Sequence, residues 1–286
     1  MLAGLSRERP VLIAGPTAAG KSALAMEIAA RDGRVVVNAD ALQVWADWRV
    51  LTARPSAADE AAVPHALYGH LGREAGHSVG HWLREVAGVL SGPRPVVVVG
   101  GTGLYLSALT EGLAAVPPVP PAVRAEADRL LREGGLRALI EGLDAATLAR
   151  IDRANPARVQ RAWEVLRATG RGLAAWQDAP APALLPADRA EALLLNPPRD
   201  LLAARIDARF EAMLAAGALE EVRAALPHWD PRRPWARAIG APELVAHLRG
   251  EIALDEAAAR AKAATRQYAK RQRTWFRRRM QGWHPA

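Results

Sequence analysis

The chain has 286 residues, half of them hydrophobic and 24% charged, a composition suited to one sizeable core or two smaller ones. It contains no cysteine, which excludes disulfide frameworks, thiolate catalysis, Cys-ligated zinc and iron–sulfur clusters. No apolar run reaches the length of a membrane span, and the start of the chain is too short in apolar residues for a secretory signal. The expectation is therefore a soluble cytoplasmic protein. The formal net charge is +8, yet nine Lys/Arg and no Asp or Glu fall within residues 257–286, so the remainder is slightly acidic. A basic patch confined to one end suits a polyanionic partner. Of 38 basic residues only Lys21, Lys262 and Lys270 are lysines, which singles out Lys21.

In chain order, residues 11–14 form an apolar run entered from Pro10, which predicts a buried strand. Residues 22–30 predict a helix, with Leu24 and Ile28 one turn apart. Residues 35–37 and 96–99 are further Val-rich runs, ending in Asn38-Ala39-Asp40 and Gly100-Gly101. Unbroken apolar runs suit strands covered on both faces, hence a parallel α/β sheet. Between them, Val79, Leu83, Val86 and Leu90 have the spacing of a crossover helix within residues 77–90.

After Leu113 the pattern changes. Val116-Pro117-Pro118-Val119-Pro120-Pro121 reads as a stiff connector, and residues 122–176 are helical and strand-poor. A second proline-rich stretch, residues 178–186, precedes a strand-like run at 192–195. The predicted organisation is an α/β core (residues 1–117 and 188–286) with a helical insertion (residues 118–187). From Asp200, expected as a helix N-cap, the chain reads as helical nearly to its end.

The motif Gly15-Pro16-Thr17-Ala18-Ala19-Gly20-Lys21-Ser22 fits the phosphate-binding loop G-x-x-x-x-G-K-[ST], placed between strand and helix. Its glycines let backbone N–H groups face phosphate oxygens, the following helix adds its dipole, Lys21 adds a compact charge, and Ser22 suits Mg²⁺. This reports a phosphorylated ligand without naming it. Nucleotidases of this kind hold magnesium with an aspartate at a strand end. Residues 96–99 lead into Gly100-Gly101-Thr102-Gly103 instead, and Asp40 is the one aspartate soon after an apolar strand. Asp40 suits either magnesium or general-base work. Arg266, Lys270, Arg273 and Arg277 recur at helical spacing as one basic stripe, with Tyr268, Trp275 and Phe276 interleaved and expected to pack on the core.

Taken together these segments resemble the tRNA dimethylallyltransferase family (tRNA isopentenyltransferases, or IPP transferases) over nearly the whole chain. Gly15 to Ser22 matches G-P-T-x-x-G-K-[ST]; Asn38 to Trp45 resembles the segment around A-D-S-x-Q-V-Y; Thr52-Ala53-Arg54-Pro55 resembles T-A-K-P; Val63-Pro64-His65 begins V-P-H-H-L. Val99 to Tyr105 matches V-G-G-T-G-L-Y, Asn155 to Ala162 matches N-x-x-R-[VI]-x-R-A, and Thr265 to Phe276 matches T-R-[QR]-Y-A-K-R-Q-x-T-W-F. Arg205, Ile206, Arg209, Met213, Gly217, Glu220, Glu221 and Val222 fit a further signature. Departures are Ala41 for Ser, Trp45 for Tyr, Arg54 for Lys, Ala66 for the second His, and Ala241-Pro242 within the usual G-Y-K-E.

The resemblance implies a P-loop-like α/β core and transfer of a dimethylallyl group from dimethylallyl diphosphate to N6 of the adenosine 3′ of the tRNA anticodon. It assigns the diphosphate to residues 15–22 and Arg205, and catalysis to Asp40 as base with Thr102 and Arg209; magnesium is expected at Ser22 from the loop chemistry. Thr102 would act near the diphosphate or near Asp40, and Arg205 and Arg209 share a helix face at i, i+4. tRNA contacts fall to Asp40, Ala41, Leu42, Gln43, Thr102, Arg124, Arg158, Val159, Gln160, Arg161, Ala162, Arg266, Lys270 and Arg273, the insertion meeting the anticodon stem. A monomer suits this organisation. A small-molecule kinase using ATP and a non-catalytic RNA-binding protein are the competing readings. His70, His77 and His81 are expected to be structural or on the surface.

Overall fold

The structure, a computed structural model, describes residues 4–286. Two compact units form. One comprises the chain up to Thr110 together with Leu184–Ala286, and the other is Glu111–Ala183.

The first unit is built on a six-stranded, all-parallel sheet in the order β3-β2-β4-β1-β5-β6. The strands are β1 Val11–Ala14, β2 Val35–Asn38, β3 His65–Ala66, β4 Val96–Gly100, β5 Glu191–Leu194 and β6 His284–Pro285. The period-two geometry of a strand explains the Val-rich runs. Leu12, Ala14, Val37, Val96 and Val98 enter one core, while Val11, Ile13, Val36, Val97 and Val99 enter the other. Helix α1 (Lys21–Asp32) covers the second face with Ala25 and Ile28. The first face packs against α3 (Val79–Leu90) and α4 (Gly103–Glu111) through Trp82, Val86, Leu106 and Leu109. Trp82 donates its indole N–H to the Asn38 carbonyl at 2.7 Å, so its polar atom is satisfied in the interior. The short α2 (Ala57–Ala62) is closed by a capping box from Ser56 and Asp59.

A third core joins residues 44–51 to the C-terminal helices. These are α9 (Arg199–Ala215), α10 (Ala218–Ala225), α11 (Ala241–Leu248) and α12 (Leu254–Arg279). Trp45, Trp48, Phe210, Trp235 and Leu244 are buried there. The bulk at Trp45 and the small Ala241 are thus core features. Helix α9 begins at Arg199 behind Pro198, so Asp200 sits in the first turn, not at the cap; Pro198 already fixes the entering backbone.

The second unit consists of α5 (Pro121–Glu141, broken at Gly135, φ +66°), α6 (Ala145–Arg150), α7 (Pro156–Thr169) and α8 (Leu173–Gln177). Ala127, Leu139, Val159, Ala162 and Trp163 form its core. Its limits precede the expected residues 118–187 because Ala181 N–H bonds the Leu113 carbonyl at 2.9 Å and Ala114 bridges Pro180. The entering and leaving chains pair with each other, which draws the proline-rich connector into the helical unit. No helix among the described residues is long and apolar enough to cross a membrane.

Candidate active site

β1, β4 and β2 are neighbours in the sheet, and the turns following all three meet at its C-terminal edge, where ligands of parallel sheets bind. The turn after β1 carries the Gly15–Ser22 motif expected to bind phosphate. Gly15 is required by close approach: a Cβ there would lie 2.7 Å from the Leu195 carbonyl oxygen. Gly20 takes φ +95° and leaves α1 without a side-chain cap, so the first-turn N–H groups stay available to an anion. Pro16 and Ala19 are buried and shape the loop. Ala18 (φ +61°) packs beside Leu202 and Ile206. Thr17, Lys21 and Ser22 line a cavity of about 90 Å³.

Asp40 follows β2. Buried Asn38 shapes its turn, accepting from Asp40 N–H at 2.8 Å and donating to the Asp40 and Leu67 carbonyls at 3.0 and 2.9 Å. Asp40 Oδ1 accepts from Leu42 N–H at 3.0 Å, and among the described residues no donor is bonded to Oδ2. The carboxylate lines the same cavity as Lys21. Thr102 sits behind it. Its hydroxyl oxygen accepts from Ala41 N–H at 2.9 Å, and its own N–H bonds the Ala39 carbonyl. Both of these bonds tie Thr102 to the turn that carries Asp40.

Helix α9 closes the cavity with Ile206, Arg209, Phe210 and Met213, which recur at i, i+3, i+4 and i+7. Arg205 stands at the edge of this face. It lies about 40° around the helix from Arg209, is exposed, and is not among the residues that line the cavity. Arg209 Nη1 lies 3.5 Å from Thr17 Oγ1. Burial lowers the Arg209 pKa against the opposing charge of Asp40. Burial likewise pulls Lys21 down to about 8, opposed by Asp40 and reinforced by Arg209, while its ammonium donates to the Pro16 carbonyl at 2.8 Å.

Several lining residues were not among the expected site residues. Tyr68 and Tyr268 line the cavity, and burial raises both phenols. Tyr268 was expected to pack on the core as Phe276 does. Leu51 and Thr52 enter because Glu221 accepts from the N–H groups of Val50 at 3.0 Å and Leu51 at 2.8 Å. Gln43 also lines the cavity but spends its amide on the Thr52 and Ala53 carbonyls, at 2.8 and 2.9 Å. Arg54, the substitute for Lys, donates to the Trp45 and Ala46 carbonyls. His70 pairs with Glu85 at 3.3 Å, and His77 rings lie near His70 and His81; no group among the described residues suits a metal.

The candidate RNA residues divide sharply by exposure. Arg158 and Arg161 are exposed, whereas Val159 and Ala162 are in the core of the helical unit and have no surface to offer RNA. Gln160 is held by Asp128 and Glu164, and Arg124 pairs with buried Glu164 at 3.1 Å. On α12, Arg266 pairs with Asp207, Lys270 is exposed, and Arg273 turns inward to the Pro197 carbonyl at 2.8 Å.

Against this geometry, the IPP transferase family model matches residues 43–279, and an isopentenyl transferase model matches residues 9–63. The chain belongs to the IPP transferase family. It is 68% identical over 284 residues to a tRNA dimethylallyltransferase of Cereibacter sphaeroides, covering 99% of this chain and 90% of that protein. A tRNA dimethylallyltransferase of Paracoccus denitrificans is 62% identical, with 99% and 96% covered. Among solved structures, a full-length tRNA isopentenylpyrophosphate transferase of Bacillus halodurans superposes with TM-score 0.68 at 28% identity, covering 98% of this chain and 89% of that one.

Proposed function

We propose that this chain transfers a dimethylallyl group from dimethylallyl diphosphate to N6 of the adenosine 3′ of the anticodon (position 37) in tRNA. The observation that carries this reading is the convergence of Lys21, Arg209 and Asp40 on one cavity whose α9 wall is Ile206, Phe210 and Met213. The phosphate loop and Lys21 hold the diphosphate as leaving group. As the allylic C–O bond breaks, its electrons pass to the diphosphate, and Lys21 and Arg209 meet the growing charge. The N6 lone pair forms the new C–N bond, and Asp40 accepts the N6 proton. Thr102 and Asn38 keep the carboxylate aimed by fixing its turn. The apolar wall keeps water from an activated allyl group.

Magnesium fits this site through the Ser22 hydroxyl. Among the described residues no cluster of His, Asp or Glu suits a metal, so the remaining ligands would come from the diphosphate and water. When bound, it would neutralise diphosphate charge. The tRNA contacts fall to exposed cations, Arg158 and Arg161 on α7 and Lys270 with Arg266 on α12. Position 37 must leave its stack for the base to meet Asp40.

The test incubates the protein with unmodified tRNA transcript and either dimethylallyl diphosphate or Mg-ATP, digests the RNA, and seeks isopentenyl-adenosine by mass spectrometry. Product is expected with dimethylallyl diphosphate alone. Bound tRNA without product under any donor would overturn the reading.

A further inference from the structure

Gln272 lies in α12 and is 5% exposed, the buried polar side chain of an otherwise basic stretch. Both ends of its amide are engaged, with segments far apart in the chain. Oε1 accepts from the Thr17 N–H at 2.8 Å, inside the phosphate loop. Nε2 donates to the Gly101 carbonyl at 2.9 Å, in the turn after β4. The residue after Gly101 is Thr102, whose hydroxyl fixes Ala41 beside Asp40. Only one amide orientation serves, since a flip would set Nε2 against the Thr17 N–H.

The surroundings are fitted to this contact. A Cβ on Gly101 would collide with Gln272 Nε2 and lie 3.2 Å from Asp40 Oδ2, so the absence of a side chain there admits the amide. One turn earlier in α12, Tyr268 lines the same cavity as Asp40. A single side chain thus ties the loop to the turn that carries the carboxylate.

We propose that Gln272 is a positioning residue that fixes the spacing between the diphosphate on the phosphate loop and the Asp40 carboxylate. The inference rests on the reading that the loop holds the diphosphate. Gln272 touches no reacting atom. It sets how far the breaking C–O bond lies from the base, a distance to which transfer rates are steeply sensitive. Because α12 also bears exposed Arg266 and Lys270, displacement of that helix by RNA would be passed to both halves of the site through this amide.

Two variants test it, with melting and tRNA binding measured alongside kinetics. Gln272→Met keeps the volume and removes both hydrogen bonds. It is expected to lower kcat about 10-fold or more, while donor KM changes by less than about threefold. Gln272→Glu separates geometry from folding. Ionised, its carboxylate repels the Gly101 carbonyl; protonated, it accepts from Thr17 and donates to Gly101 as the amide does. Burial near Asp40 raises the pKa of such a glutamate. The ratio of its kcat to that of the wild-type enzyme should therefore climb about 10-fold as pH falls from about 8.5 to about 6. A ratio flat with pH, or a Gln272→Met enzyme with wild-type kcat, overturns the proposal. If Lys21→Ala leaves donor binding intact, the loop assignment itself fails, a result separable from either.

Discussion

Two eight-residue motifs, Gly15 to Ser22 and Asn155 to Ala162, carry the family resemblance equally well, yet they fold into opposite kinds of object. The first wraps as a loop, so side chains and backbone N–H groups from one short stretch converge on a single cavity. The second opens a helix. Asn155 caps it by accepting from Arg158 N–H at 3.2 Å, Pro156 occupies the first turn, Val159 and Ala162 face the core, and Arg158 and Arg161 face outward. A match on a loop assigns neighbouring residues to one ligand. A match on a helix assigns only every third or fourth residue, and the rest are fixed by packing.

The largest expected effect tests the loop side. Asp40→Asn should lower kcat by about 10² to 10⁴, while tRNA and donor still bind. Single-turnover product formation measures it, and a loss under tenfold would remove Asp40 from the role of base.

Next comes Lys21. Lys21→Ala should raise donor KM about 10- to 100-fold through the lost charge-assisted contact. The wild-type enzyme carries the same signal in its pH profile. Lys21 titrates near 8 in the free protein, and the diphosphate requires the charged form. Above that pH, binding must take up a proton, so donor KM should rise by up to about tenfold per pH unit. Lys21→Ala should be flat over the same range, and a wild-type KM independent of pH would contradict the assignment.

On the helical motif, the two faces should separate. Val159→Asp places an unpaired charge in the core of the helical unit and should unfold that unit, read as lost protection in hydrogen exchange. Arg161→Ala should leave melting unchanged, weaken tRNA binding, and reduce the salt slope of log K by about 1. Equal melting for both variants would erase the distinction between the faces.

The smallest effect lies outside both motifs. The Asp32 side chain is covered by Arg31, Arg34 and the exposed Arg7, and its hydrogen bond from Arg31, helped by Arg34, lowers its pKa to about 2. Its ordinary value is about 3.9. The stabilisation is therefore present above about pH 4 and is lost as pH falls toward about 2. Asp32→Asn should flatten that limb of a urea-midpoint titration, and an unaltered limb would assign acid sensitivity to other carboxylates.

Legibility in the sequence followed the range of the interactions. The runs at β1, β2 and β4 were readable because strands buried on both faces need no alternation. β3 and β6 were not, since two residues each carry no pattern and exist only as partners of β2 and β5. Asp40 was visible by its place after a strand, and the phosphate loop by its spacing. Arg205 and Arg209 are equivalent by spacing, and only the tertiary structure shows that Arg209 lines the cavity while Arg205 is exposed. Tyr268 looked like core because an aromatic among arginines has no address of its own.

What the sequence determined by itself is local and periodic: the parallel α/β core, the helix-rich stretch after it, the glycine-rich turn after β1, the place of Asp40 after β2 and a basic terminal helix. Tertiary structure alone decided that Gln272 would bond Thr17 and Gly101, that Glu221 would deliver Leu51, and that Phe210 and Tyr268 would share a cavity with Asp40. Those contacts join segments 170 or more residues apart in the chain, where no spacing rule reaches. They arise from which strands become neighbours and which helix faces they bury, and that choice belongs to the packing of the whole unit.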